Sequence, residues 1–297
     1  MPASSRVQVR IGLPDPSLAG YVTFYYVVTA QEPVADFLYP EWGNVRFNIH
    51  GDMVAMLPGL YPPGPQLATL FGPTDRAATV TSTGASRIAG IGFTPLGWNR
   101  FIALPADGLA NRIKPLECEF GLCGDDWRAT IIALGDDDDA ILDQFDSTLA
   151  TRLNRTSAPD TVALRLDEVL RANPRDVATF AALMAMSPRT LSRYCARIFG
   201  FAPKRLLRRQ RFLDTLGQVR TQPDAKFVEL LDERYFDQSH FIRDFRAFMG
   251  MTPRAYLACS RDIFQVAAAE QTSRGITLSF RLPGQPTQGR PGTKQTG

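Results

Sequence analysis

The residues best equipped for chemistry lie in one stretch, Tyr235-Phe236-Asp237-Gln238-Ser239-His240-Phe241-Ile242-Arg243-Asp244-Phe245. Asp237 suits a helix N-cap, because its carboxylate can accept the free N–H groups of a first turn. Phe241 and Phe245 are four apart and share the face turned to a core. Gln238, Ser239, Ile242 and Arg243 then point elsewhere. An outer face of Gln, Ser and Arg, with no carboxylate before Asp244, matches the hydrogen-bonding edges of base pairs in a DNA major groove. Alone, the stretch reads equally well as a surface helix of any globular domain.

An internal repeat breaks that tie. Shifting the sequence by 50 places Arg243 on Arg193, Phe241 on Leu191, Gly250 on Gly200, Pro253 on Pro203 and Leu257 on Leu207. Asp237 falls on Ser187, also a capping residue, and Pro188 follows at the first helical position, where proline is tolerated. Gly200 and Gly250 each stand just past a helix, where a left-handed residue is wanted. A shorter apolar segment precedes each copy, Val177–Met184 and Phe227–Leu231. The order is helix, tight turn, helix, twice, which predicts two helix-turn-helix units.

Charge follows the same division. Residues 1–159 hold 11 Lys+Arg and 17 Asp+Glu, a net −6, whereas residues 160–260 hold 17 and 11, a net +6. From Arg189 to Arg211 there are eight basic residues and no acid. A basic module joined to an acidic one fits a polyanion-binding half and a half that does not compete with it.

The remaining elements must hold these helices in place. Val7, Val9 and Ile11 alternate, Tyr21–Val28 is β-branched and aromatic, and Val45–Ile49 alternates again. Further strands are expected at 53–57, 66–71, 77–81 and 87–93. Many short strands with Gly/Pro turns predict a barrel or sandwich over most of residues 7–135. The run Asp136-Asp137-Asp138-Asp139 reads as a helix entry, since acids favour the positive end of the helix dipole. In the helix after it, Ile141, Leu142, Phe145, Leu149 and Leu153 form an apolar stripe for the barrel or for a second subunit. Thr156–Pro159 reads as a linker. Thr161–Ala172 opens the basic half, and Pro203 starts a helix that can act as a strut between the two units. The fold class is α+β with two domains: residues 1–155 mainly β, residues 160–260 all-α, and a largely disordered tail at 261–297.

Residues 160–260 resemble the DNA-binding domain of the AraC/XylS family of transcription regulators. The resemblance is carried by Met186-Ser187-Pro188-Arg189-Thr190-Leu191-Ser192-Arg193, Gly200-Phe201-Ala202-Pro203, Tyr235–Phe241 and Phe248-Met249-Gly250-Met251-Thr252-Pro253. Arg234 departs from it, standing where the family has Gly. The N-terminal half is similar to the cupin-like sensor halves of such regulators. The resemblance implies base contacts from Arg189, Ser192 and Arg193 on the first recognition helix. On the second it implies Gln238, Ser239, His240 and Arg243, with His240 equally suited to bracing the turn. Lys204, Arg205, Arg208 and Arg209 on the strut are expected to touch phosphates, which position without reading sequence. The implied partners are double-stranded DNA, RNA polymerase, a small-molecule effector and a second copy of the chain.

Other classes find less support. No apolar run approaches a membrane span, and the first residues lack a signal peptide, so a cytoplasmic protein is expected. Cys118, Cys123, Cys195 and Cys259 have no framework spacing. A lone His50 in the β half argues against a cupin-type metal site, and no catalytic set, metal or cofactor is expected. The rival reading is a small-molecule-binding barrel or enzyme whose helical half makes protein contacts. A DNA-repair alkyl-transfer regulator would need more activated cysteines than Cys118 and Cys123. On the strut assignment, Arg209→Ala weakens binding to all DNA and flattens the salt dependence by about one phosphate's worth.

Overall fold

A computed structural model of the chain describes residues 6–60, 64–102, 104–120, 123–158, 160–221, 235–259 and 262–275. The β half contains β1 (Val7–Gly12), β2 (Val22–Ala30), β3 (Val34–Leu38), β4 (Asn44–His50), β5 (Val54–Met56), β6 (Ala68–Phe71), β7 (Ala78–Ser82), β8 (Ser86–Phe93) and β9 (Ile113–Pro115). They form a six-stranded sheet in the order β1-β2-β8-β4-β6-β9 and a three-stranded sheet in the order β3-β7-β5. Neighbouring strands run antiparallel.

Period-two alternation decides which residues meet. Tyr26 and Val28 of β2, Ile88 of β8 and Ile11 of β1 join Val34, Ala55 and Val80 in a core between the sheets. Tyr25 and Val27 of β2, with Val45, Phe47, Ile91 and Phe93, face the other way. There they meet two helices, α2 (Gly124–Ala133) and α3 (Asp138–Leu153), which come after the three-residue α1 (Pro95–Gly97). Trp127, Ile131, Ile141, Phe145 and Leu149 fill this second core. The apolar stripe of α3 is therefore taken up by its own sheet. Part of the stretch expected to be β, 124–133, is helical.

Of the barrel or sandwich expected for the β half, the structure forms the second, and one expectation for the tail is corrected. The β half is not a closed barrel. Its sheets are open, and β1 is flanked by a helix, α10 (Asp262–Ser273), which packs along β1 and β3. That helix also corrects the disordered tail for residues 262–273, because Ile263 enters the inter-sheet core. The acidic run does what a helix entry does: Asp137 caps α3 by accepting the Ala140 N–H at 3.0 Å. Its neighbours are bound by arginines, Asp136 and Asp138 by Arg87 and Asp139 by Arg10.

The helical half runs α4 (Thr161–Arg171), α5 (Val177–Leu183), α6 (Pro188–Phe199), α7 (Pro203–Thr221), α8 (Gln238–Met249) and α9 (Pro253–Ala258). Leu166, Val169, Leu170, Phe180, Leu191, Cys195, Ile198 and Phe199 form the core of the first unit. Phe212, Leu216, Phe241, Phe245, Phe248 and Tyr256 form that of the second. The first apolar segment expected for the second unit, 227–231, lies outside the described residues.

The two halves are clasped through α7. Arg209 is 2% exposed. Its guanidinium donates to the carbonyls of Thr74 and Pro40, both at 3.0 Å, and lies 3.9 Å from the Trp42 ring centroid. Burial pushes its pKa down to about 9, which leaves it a cation at neutral pH. Arg205 donates to the Asp75 carboxylate at 2.5 Å, and Asn111 donates to the same side chain at 2.9 Å. The Ala77 N–H reaches the Phe248 carbonyl at 2.6 Å. In the first unit, Trp42 packs against Phe199, with ring centroids 6.0 Å apart.

Burial opposes ionisation of Asp75, but hydrogen bonds from Arg205 and Asn111 and the Arg205 charge outweigh it and hold the carboxyl below its ordinary range. A depressed carboxyl pKa stabilises the fold above the unfolded value, near pH 4, and that stability is lost as pH falls through the folded one. Asp75→Asn should therefore cost about 1–3 kcal/mol at neutral pH. It should also flatten the acid limb of a denaturation curve measured from about pH 5 downward; an acid limb as steep as wild type would exclude Asp75 as its source.

Candidate nucleic-acid interface

The local sequence builds α6 and α8 on one plan. Before α6, Ser187 Oγ accepts the Thr190 N–H at 3.2 Å, and before α8, Asp237 accepts the His240 N–H at 2.6 Å. Pro188 occupies the first turn of α6, where its missing N–H costs nothing. Each helix stops at a glycine in the left-handed region, Gly200 at φ 86° and Gly250 at φ 73°. An L side chain there would be strained, so these positions need glycine. Pro203 and Pro253 then begin α7 and α9.

The expected base-reading residues are on the outside. Arg189, Arg193, Gln238, Ser239 and Arg243 are exposed, and Ser192 is half-buried. His240 is half-buried too, edge-on to Tyr235 at 5.2 Å between ring centroids, with Nε2 3.2 Å from an Arg211 nitrogen. Those contacts favour its bracing role.

The strut residues divide. Lys204 is exposed and lines a groove of about 680 Å³ between the start of α5 and α8, together with Arg175, Arg208, Arg211, His240 and Arg243. The expectation for Arg209 is corrected: it is buried against the β half and cannot reach a phosphate in this arrangement. Arg205 is committed to Asp75. Arg208 is committed to Asp244, at 2.5 Å, and keeps a third of its side chain exposed.

Asp244 is the residue that reading by spacing missed. It is fully buried within the helix that faces outward through Arg243. Arg208 and Arg211 both donate to it, Arg211 at 2.9 Å, so α8 is pinned to α7 by one carboxylate between two guanidiniums. Arg211 also covers the Tyr235 ring at 4.4 Å. The signal was present: Asp244 stands three residues after Phe241 and four before Phe248, which places it on the inward face. A second missed feature is Phe236, 95% exposed in the turn before α8. Its counterpart in the first unit, Met186, is packed against the core.

Two capped helices with outward arginines, carried on one strut, have the geometry of a helix-turn-helix DNA-binding module. A family model agrees with that class. Residues 180–258 match the model described as a helix-turn-helix domain, and residues 11–115 match a domain of unknown function, DUF6597. No curated protein matches the chain. Among solved structures, ToxT from Vibrio cholerae O395 is similar at 10% identity and a TM-score of 0.45, over 86% of this chain and 98% of that one. Wild-type ToxT of strain SCE256 with unsaturated fatty acid bound gives 10% and 0.43, over 84% and 94%. The AraC-like transcriptional activator CuxR gives 16% and 0.29, over 70% and 86%. The chain thus carries a helix-turn-helix domain in its C-terminal half, behind an N-terminal domain of unknown function, and the helix-turn-helix domain agrees with its resemblance to the AraC/XylS family of transcription regulators. Among the described residues no helix is long and apolar enough to cross a membrane.

Asp244→Ala leaves two guanidiniums facing an uncharged core edge, a loss of about 3–5 kcal/mol for a broken buried pair. Protection of the second half-site in a footprint should disappear while the first persists; equal loss at both would show that α8 is not separately pinned. Arg209→Ala should lower the unfolding midpoint and leave the salt dependence of DNA binding unchanged.

Proposed function

We propose that this protein reads two adjacent major-groove segments of duplex DNA, α6 entering one and α8 the next, and that its N-terminal half modulates the reading. The observation that carries this is the duplicated cap, outward arginine and left-handed stop on either side of one strut. Arg189, Ser192 and Arg193 face one set of base edges, and Gln238, Ser239 and Arg243 the other. Arginine grips guanine through two acceptors and glutamine does the same for adenine. Lys204, with Arg175 and the exposed part of Arg208, offers charge to the phosphates between the two segments.

Modulation is supported by a route from the β half to the strut. A cavity of about 60 Å³ lies between the sheets, walled by Ile11, Val28, Met53, Val80 and Ile88 and bounded by Arg46 and Glu41. Arg46 donates to the Tyr26 hydroxyl at 3.0 Å and pairs with Glu41 at 3.9 Å. Glu41 also feels the charge of Arg209. A small molecule that alters the Arg46–Glu41 pair therefore acts one residue away from the clasp on α7.

The test is binding of duplexes selected in vitro. Arg193→Ala should cost about 1–3 kcal/mol on the selected site and relax preference at one base pair. Lys204→Ala should weaken all duplexes and reduce the salt slope by about one. Equal losses on selected and random DNA for Arg193→Ala, or an unchanged slope for Lys204→Ala, would contradict these roles.

A further inference from the structure

The chain leaves the β half at α4, builds both reading units, and then comes back. Only a short link separates the end of α9 from α10, which lies on β1 and β3 of the N-terminal half. Ile263, Ala267 and Gln271 form one stripe at intervals of four, and all three line the cavity between the sheets. Ile263 and Gln271 are each 5% exposed. On the opposite side Gln265, Ala269, Thr272 and Ser273 are exposed. This is the geometry of an amphipathic helix in an apolar groove, except that groove and helix belong to the same chain.

With α10 in place the space left is small. At about 60 Å³ the cavity has room for about two waters, at about 30 Å³ each. Small-molecule sites run to about 300–1,000 Å³. An apolar compound can occupy the space between the sheets only by taking volume from the α10 stripe. Most of the rest of the wall belongs to paired strands, whose backbone hydrogen bonds resist opening. The helix instead reaches the cavity, among the described residues, through Ile263, Ala267 and Gln271, near the end of the described chain, which places it among the elements that open at least cost.

We propose that α10 is a displaceable occupant of the inter-sheet groove: it sits where an apolar effector would sit, and entry of that effector releases it. Release reaches the second reading unit through α9. Tyr256 of α9 is buried against Phe245 of α8, with ring centroids 5.5 Å apart. The seating of α8 on DNA thus depends on a segment held by the β half. The consequence for DNA rests on the function proposed above; the displacement itself does not.

The experiment uses the full chain and the neutral apolar dye Nile red. Backbone amide exchange over residues 262–273 is monitored by mass spectrometry with and without dye. Bound dye should speed exchange of α10 by about tenfold or more while leaving β2 and β8 protected. Ile263→Asp and Ala267→Glu should speed it without dye and raise dye binding. Ala269→Glu, on the exposed side of the same helix, should change neither. Should Ile263→Asp fail to fold, Ala267→Glu and the dye-bound wild type still decide the matter. Bound dye with α10 still protected overturns the proposal, as does a response to Ala269→Glu equal to that of Ala267→Glu. A shift assay of the wild type on random duplex at low salt separates the two readings. No DNA binding by the dye-free protein, with α10 displaced once dye is added, sinks only the regulator reading, and DNA binding by the dye-free protein with an α10 that dye does not move sinks only this one.

Discussion

The arrangement of this molecule depends on one buried cation. Arg209 projects from the strut into the β half and satisfies its donors on two carbonyls, Thr74 and Pro40, over the face of Trp42. A guanidinium taken out of water is costly unless every side of it is matched. Carbonyls, an aromatic face and the nearby charges of Asp75 and Glu41 supply that match here. The specificity of this arrangement comes from its cost: a displacement of α7 by one turn would leave the same charge buried and unpaired. The clasp therefore fixes where the strut lies, and the strut fixes where α6 and α8 lie.

The second organising charge works on a smaller scale. Asp244 sits between Arg208 and Arg211 and locks α8 against α7. In both places arginines of a basic run that reads as DNA-facing are turned inward. Arg189, Arg193, Arg197 and Lys204 of that run remain to face outward, together with Arg243 of α8. The helical half thus commits part of its positive charge to its own architecture, which a net charge cannot reveal.

The two units were legible in the sequence because their signals are local. A capping side chain, a proline in the first turn and a glycine at the stop act within a few residues, and the cap and the stop recur at a spacing of 50. The strands were legible from alternation, but whether they close into a barrel depends on which edges pair, and alternation is silent on that. The fate of the strut arginines was harder. Lys204, Arg205, Arg208, Arg209 and Arg211 wind around the helix, and the partners of Arg205 and Arg209 come from loops far earlier in the chain. A partial signal existed: Arg205, Arg209, Phe212 and Leu216 share one face, so the apolar stripe continues into two arginines. Reading that face as inward would have placed both correctly. The return of α10 had no local signal at all, because its groove is built from the opposite end of the chain.

That return has a consequence for how the protein is made. The β half leaves the ribosome first, yet Ile263, which completes its inter-sheet core, is more than a hundred residues behind α3. At synthesis rates of about 5–20 residues per second, the apolar groove stays uncovered for roughly 5–20 s in each nascent chain. During that interval it is open to the solvent, to chaperones and to any apolar compound in the surroundings. A molecule that is captured then meets the groove before its own helix does.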